Sequence, residues 1–367
     1  MSDSRLHKVS QLGQSAWIDF LSRDLVRSGG LKRMVDQDAI TGVTSNPTIF
    51  QQALAEGDFY DSQLSELAGE DFSSKELFFA LCSTDVSEAC DVLADVYVET
   101  QGIDGYVSLE VDPNLAYDAE ASIIEATKLH DEIEKPNLYV KIPATKPGLT
   151  AIEEMIGRGR SINVTLIFSL QRYAEVVESY LRGLERFVAA GGNPSEVSSV
   201  ASFFISRVDS EADLRLDEIS GYDVLKGKLA VANARLAYDH YLSAFSSERW
   251  EFLASRGARP QRCLWASTST KNPVYRDVMY VEELIGPDTV NTMPEQTIRA
   301  FQDHGDPALR LTQGMDEAQE VLNAIADAGV DYDDLTDLLE REGVEKFVAS
   351  FEALLSGIER KRDTVIG

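Results

Sequence analysis

The sequence predicts a (β/α)8 barrel followed by extra helices. Short apolar runs rich in Val, Ile and Phe recur along the chain, and each precedes a longer amphipathic stretch. Eight such alternations point to a closed parallel sheet wrapped by crossover helices. The length of 367 residues fits one elaborated barrel, since a typical one takes about 250 and tolerates insertions. Residues 1–367 therefore read as a single domain, with about 1–10 and 359–367 expected to be frayed.

The expected strands are Trp17–Phe20, Gly42–Ser45, Tyr106–Val111, Leu138–Pro143, Ile162–Phe168, Val200–Ser206, Cys263–Ser267 and Val290–Met293. Most are near-continuous hydrophobic runs, as strands buried on both faces require. Helical pattern lies between them, over Lys75–Glu99, Asp118–Glu134, Gln171–Ala190, Leu229–Ser246 and Asp316–Ala328. Ser169 is placed to cap one helix, and Asn193-Pro194-Ser195-Glu196 reads as a cap with an early proline. No Gly-rich phosphate fingerprint follows the first strand, which argues against a doubly wound open sheet. From about Glu317 to Ile358 the pattern is of consecutive helices that could pack over the barrel mouth.

Acidic residues outnumber basic ones by 62 to 34, for a net charge of −28. Such a surface repels nucleic acid and anionic lipid, so neither is an expected partner. An anionic substrate would need a local cluster of cations, because the global field opposes it. Cys82, Cys90 and Cys263 are too few for a disulfide framework and match no zinc spacing. The histidines His7, His130, His240 and His304 are scattered, which argues against a metal site. The start, MSDSRLHKVSQLGQSAW, has no apolar signal core, and no apolar run approaches the roughly 18 residues that span a bilayer. The expected location is the cytoplasm.

Active sites of this fold sit at the C-terminal ends of the strands, so polar residues inside apolar strands carry the most information. Lys141 lies in LYVKIPAT between Val140 and Ile142. A buried lysine is rare unless it is paired or used. Desolvation disfavours its charged form, and a neutral amine can attack a ketone to form an imine. The same residue could instead pair structurally with a carboxylate on a neighbouring strand. Asp19 in WIDF and Glu110 in SLEV are carboxylates in apolar runs, suited to moving protons at a substrate hydroxyl or to pairing with Lys141. Asn46, Asn163, Thr165 and Ser202 are short polar groups at strand ends, able to bind hydroxyls, hold a water or cap loops. Arg207 and Lys271 follow the sixth and seventh strands, where this fold often binds phosphate. Arg207 could alternatively pair with Asp209.

WIDF, GVTSNPTIF, YVSLEV, LYVKIPAT, INVTLIFS, SFFISRVD and WASTSTKNP occur in that order between about Trp17 and Glu295. This ordered set strongly resembles the transaldolase family, particularly its longer bacterial subgroup. The resemblance implies a barrel of the class I aldolase type with Lys141 as the Schiff-base lysine. It implies Asp19 as the acid/base at the hydroxyl beside the cleaved bond, and Glu110 with Thr165 as holders of a catalytic water. Asn46 matches an asparagine that binds dihydroxyacetone hydroxyls, with Asn163 near it. Ser202 and Arg207 match phosphate ligands, and Lys271 stands where the family has a second phosphate-binding arginine, in a TSTKN loop longer than expected. The implied reaction moves a dihydroxyacetone unit from sedoheptulose 7-phosphate or fructose 6-phosphate to an aldose phosphate. It belongs to the non-oxidative pentose phosphate pathway and requires no metal or organic cofactor. The expected partners are small-molecule sugar phosphates, with the chain a monomer or homodimer. A sister aldolase that releases free dihydroxyacetone would share Lys141, but tends to be shorter and to use a tyrosine for proton transfer. A silent sugar-phosphate sensor and a metal-dependent barrel hydrolase fit the strand residues less well.

Overall fold

A computed structural model describes residues 4–55, 58–67 and 71–366. Eight parallel strands form a closed barrel in chain order: β1 (Gln14–Asp19), β2 (Ile40–Thr44), β3 (Val107–Glu110), β4 (Leu138–Pro143), β5 (Ile162–Ile167), β6 (Ser199–Phe204), β7 (Arg262–Ala266) and β8 (Thr289–Met293). β8 pairs with β1 to complete the ring. Ahead of β1 and β2 lie α1 (Arg5–Gln11), α2 (Arg23–Arg27) and α3 (Gly30–Asp38). Between β2 and β3 come α4 (Pro47–Ala55), α5 (Asp61–Leu67), α6 (Ser74–Val92) and α7 (Ala94–Glu99). Single helices follow β3, β4 and β5: α8 (Ala119–Ile133), α9 (Lys146–Gly157) and α10 (Leu170–Ala189). α11 (Ser206–Ile219), α12 (Leu229–Ala244) and α13 (Glu248–Ser255) follow β6. α14 (Met279–Glu283) precedes β8, and α15 (Glu295–His304), α16 (Met315–Asp327) and α17 (Tyr332–Ile366) follow it.

The expected barrel is therefore present, with differences at particular elements. β1 begins at Gln14, three residues before the expected start, because its first residues are polar. Gln14 is buried and donates to the Leu284 carbonyl and to Thr289. The single helix expected over Lys75–Glu99 is broken at Leu93. Ser169 caps α10 as expected, accepting from Arg172 N. Asn193 caps only one 3₁₀ turn, Pro194–Glu196, because β6 starts three residues later. Of the ends expected to be frayed, residues 5–10 lie in α1 and residues 359–366 lie in α17, while residues 1–3 and 367 lie outside the described residues. α1 buries Leu6 and Val9 against the barrel floor, and each buried aliphatic side chain contributes about 1.5–3 kcal/mol. α17 continues to Ile366. No helix among the described residues is long and apolar enough to cross a membrane.

Alternation along each strand sends every second side chain inward. The inward set of β1 is Ser15, Trp17 and Asp19, and that of β4 is Tyr139, Lys141 and Pro143. Trp17 fills the barrel and fixes Gly42 as glycine: a Cβ there would lie 2.4 Å from the indole. Tyr106 and Tyr139 stack at 4.1 Å above the floor. The polar layer that remains sits at the C-terminal ends of the strands, and α17 crosses above it, packed on α4, α6, α11 and β5.

Candidate active site

Lys141 pairs in register with Glu110 of β3 on one side and Asn163 of β5 on the other. Its side chain is buried, and Nζ donates to Glu110 Oε2 at 2.9 Å and to the Ser45 carbonyl at 2.9 Å. The two readings of this lysine thus meet in one atom, which is paired to a neighbouring strand and also lines a cavity. Burial pushes the Glu110 carboxyl above its ordinary value, and Lys141 opposes that rise. A carboxyl so disposed toward its neutral form can receive the ammonium's proton and leave a free amine. Glu110 Oε1 and Thr165 Oγ1 are both buried without a hydrogen-bond partner.

Asp19 lies across the cavity at the end of β1, partly open to it. Burial raises its carboxyl above the usual aspartate value, while Lys141, the Thr44 hydroxyl and Lys271 pull it down. Thr44 donates to Asp19 Oδ1 at 2.9 Å and lies 2.6 Å from Thr292 Oγ1. Since Thr44 has a single hydroxyl proton, Thr292 must be the donor in the second contact. This relay favours the ionised carboxylate. In Thr44→Val the acid limb of the rate profile should move to higher pH, because Asp19 loses a bond that its charged form prefers. An unmoved limb in a kcat–pH series would contradict the assignment.

Strand ends and loops bring the other expected residues to the same cavity, about 140 Å³ in volume. Asn46 lines it while its Oδ1 caps α4 by accepting from Ile49 N at 3.2 Å, leaving the amide NH2 as donor. Ser202 lines it but donates to Asn163 Oδ1 at 2.7 Å. Asn163 does not line the cavity: it is wholly buried beside Lys141, and its Nδ2 donates to Ser108. It ties β3, β5 and β6 together.

Arg207 and Lys271 stand together at the mouth. Arg207 does not pair with Asp209, which instead accepts from Ala230 N and Tyr280. Its Nη1 is buried without a partner, and burial pushes the guanidinium below its ordinary value. Lys271 opens to solvent, yet desolvation by its loop, then Arg207, push its pKa down. Two cations side by side at the mouth, with a buried guanidinium nitrogen lacking a partner, suit an anion between them. α11 contributes its N-terminal turn here as well, with Arg207 its second residue. The loop bearing Lys271 is clasped to α11 by Tyr275, which donates to Asp213, and α14 beyond it by Tyr280, which donates to Asp209. Arg207→Ala should raise KM for phosphorylated substrates about 10–100-fold, the range for losing a charge-assisted bond, with a smaller change in kcat. An unchanged KM in steady-state assays would remove Arg207 from the phosphate site.

Thr44, Thr292, Ser267, Ser269 and Phe347 also line this cavity. Sequence reasoning did not single them out. Thr44 lies beside Asn46 in GVTSNP, a signal within reach. Ser267 adopts φ +57°, which a serine in an apolar run does not announce. A larger cleft of about 450 Å³ between α4, α5 and α17 contains none of the strand-end polar groups.

An inward lysine paired to a carboxylate, a second carboxylate opposite and a cation pair at the mouth define a (β/α)8 barrel of the class I aldolase type. The chain belongs to the Transaldolase/Fructose-6-phosphate aldolase family, whose model matches residues 16–358. It is 49% identical over 359 residues to a transaldolase of Frankia alni, covering 97% of each chain. It is 50% identical over 357 residues to one of Acidothermus cellulolyticus, covering 97% of this chain and 96% of the relative. It is 49% identical over 361 residues to one of Thermobifida fusca, covering 98% of each.

Proposed function

We propose that the chain is a transaldolase that carries a dihydroxyacetone unit on Lys141 from a ketose phosphate to an aldose phosphate. The observation that carries this reading is Lys141 Nζ, buried 2.9 Å from Glu110 at the end of β4 with Asp19 across the cavity. The Lys141 amine adds to the C2 carbonyl of fructose 6-phosphate or sedoheptulose 7-phosphate. Glu110 holds the proton that the ammonium gives up. Loss of water then gives the imine, and a water held between Glu110 Oε1 and Thr165 Oγ1 suits that proton traffic. Asp19 takes the C4 hydroxyl proton, the C3–C4 bond breaks and its electrons enter the imine, forming an enamine. The aldose phosphate leaves. Erythrose 4-phosphate or glyceraldehyde 3-phosphate enters, and the steps run in reverse. Asn46 and Ser202 bind hydroxyl and phosphate oxygens, Arg207 and Lys271 bind the phosphate, and Asn163 acts through Ser202. With these substrates the reaction belongs to the non-oxidative pentose phosphate pathway and to the cytoplasm.

The family includes aldolases that release the three-carbon unit, so the test is an assay of fructose 6-phosphate with and without erythrose 4-phosphate. The expected result is sedoheptulose 7-phosphate with acceptor and little free dihydroxyacetone without it. Comparable release without acceptor would favour the aldolase.

A further inference from the structure

The eight strands and their own loops do not complete the cavity. One wall comes from α17, whose Phe347 lies 182 residues after Thr165 of β5. The Phe347 ring is buried, and its centroid lies 5.9 Å from Lys141 Nζ. Residues one and two turns away on the same helical face anchor α17 at this position. Phe351 meets Phe78 edge to face at 5.2 Å. Gly343 lets the helix approach β5 so closely that a Cβ would lie 3.0 Å from Leu166. Glu340 bridges to Arg172 at 3.1 Å. The ring is therefore a fixed apolar surface over the one amine that the mechanism uses.

Resting on the Schiff-base reading above, we propose that Phe347 is a specificity-determining residue that decides whether the bound three-carbon unit passes to an aldose or to water. The competing step is a balanced hydrolysis. The enamine carbon takes a proton and becomes the imine again. Water adds to the imine carbon, the carbon–nitrogen bond breaks, its electrons and a proton return to Nζ, and dihydroxyacetone leaves. Transfer instead forms a carbon–carbon bond between the enamine carbon and the aldehyde carbon. Both routes end with water adding to an imine, but only release first protonates the enamine carbon; a water placed against the ring to deliver that proton finds no hydrogen-bond partner there, so the ring disfavours release while leaving the mouth open to an aldose phosphate.

The experiment is a product partition on the full chain, F347A and F347L, with fructose 6-phosphate and limiting erythrose 4-phosphate. Borohydride trapping is run alongside on each protein. The expected result is free dihydroxyacetone per transferred unit rising about tenfold in F347A and less in F347L, with Lys141 still labelled. A purely structural role would lower both products together and leave their ratio alone. An unchanged ratio in a folded F347A overturns the proposal. If F347A does not fold, F347L decides: a raised ratio supports the proposal, an unchanged one overturns it. If the unsubstituted chain is not trapped at Lys141, the Schiff-base reading itself has failed and the proposal falls with it.

Discussion

Lys141→Ala is expected to lower transfer by at least about 10⁴-fold, the scale seen when a covalent nucleophile is lost. Lys141→Arg should do the same, because a guanidinium cannot form the imine. The alanine variant should still fold. Removing one partner of a buried ion pair is usually costly, because the other charge is stranded. Glu110, however, is already pushed toward its neutral acid by burial, and loss of Lys141 removes the charge that opposed this. It will enter the folded protein protonated. The sign of the pH effect follows: a carboxyl whose folded pKa is raised binds its proton more tightly folded than unfolded. Glu110's contribution to the variant's stability is therefore fully present below the ordinary glutamate value and is lost as pH rises above it. Thermal melts of the variant compared with the unsubstituted chain across pH check this; a difference that shrank as pH rose would contradict the assignment of Glu110 as the stranded partner.

Asp19→Asn should lower kcat by about 10²–10⁴-fold, the usual contribution of a general base. Imine formation does not need Asp19, so Lys141 should remain trappable in this variant while turnover is lost. The pH dependence separates the two carboxylates further. Asp19 works as the ionised base, and burial raises its pKa, so the unsubstituted enzyme should lose activity on the acid side above the usual aspartate range. The residual activity of Asp19→Asn should lack that limb. Single-turnover trapping with steady-state rates checks both points. A variant that neither cleaved nor formed the imine would move Asp19 to an earlier step.

Much of this site was legible because charge inside an apolar strand is conspicuous. Lys141, Asp19 and Glu110 interrupt runs that otherwise bury on both faces, and each side chain does point into the barrel. The strand ends were less legible. Gln14 lies ahead of the expected first strand, yet its amide finds two partners and is buried. Asn163 resembles a ligand by type and position and stands in register beside Lys141, but it is wholly buried and its side chain is spent on Ser108 and Ser202. Thr44 escapes notice because threonine is an ordinary strand residue, and only the Asp19 distance gives it a role. Phe347 carries no local signal at all. It is one apolar position on an amphipathic helix, and its place over Lys141 depends on how α17 packs across the barrel mouth.

Borohydride reduction in the presence of fructose 6-phosphate, followed by peptide mapping, tests the central claim most directly. One adduct carrying the dihydroxyacetone unit should appear, on Lys141, and disappear in Lys141→Ala. A label on any other lysine, or full turnover with no label, would contradict it.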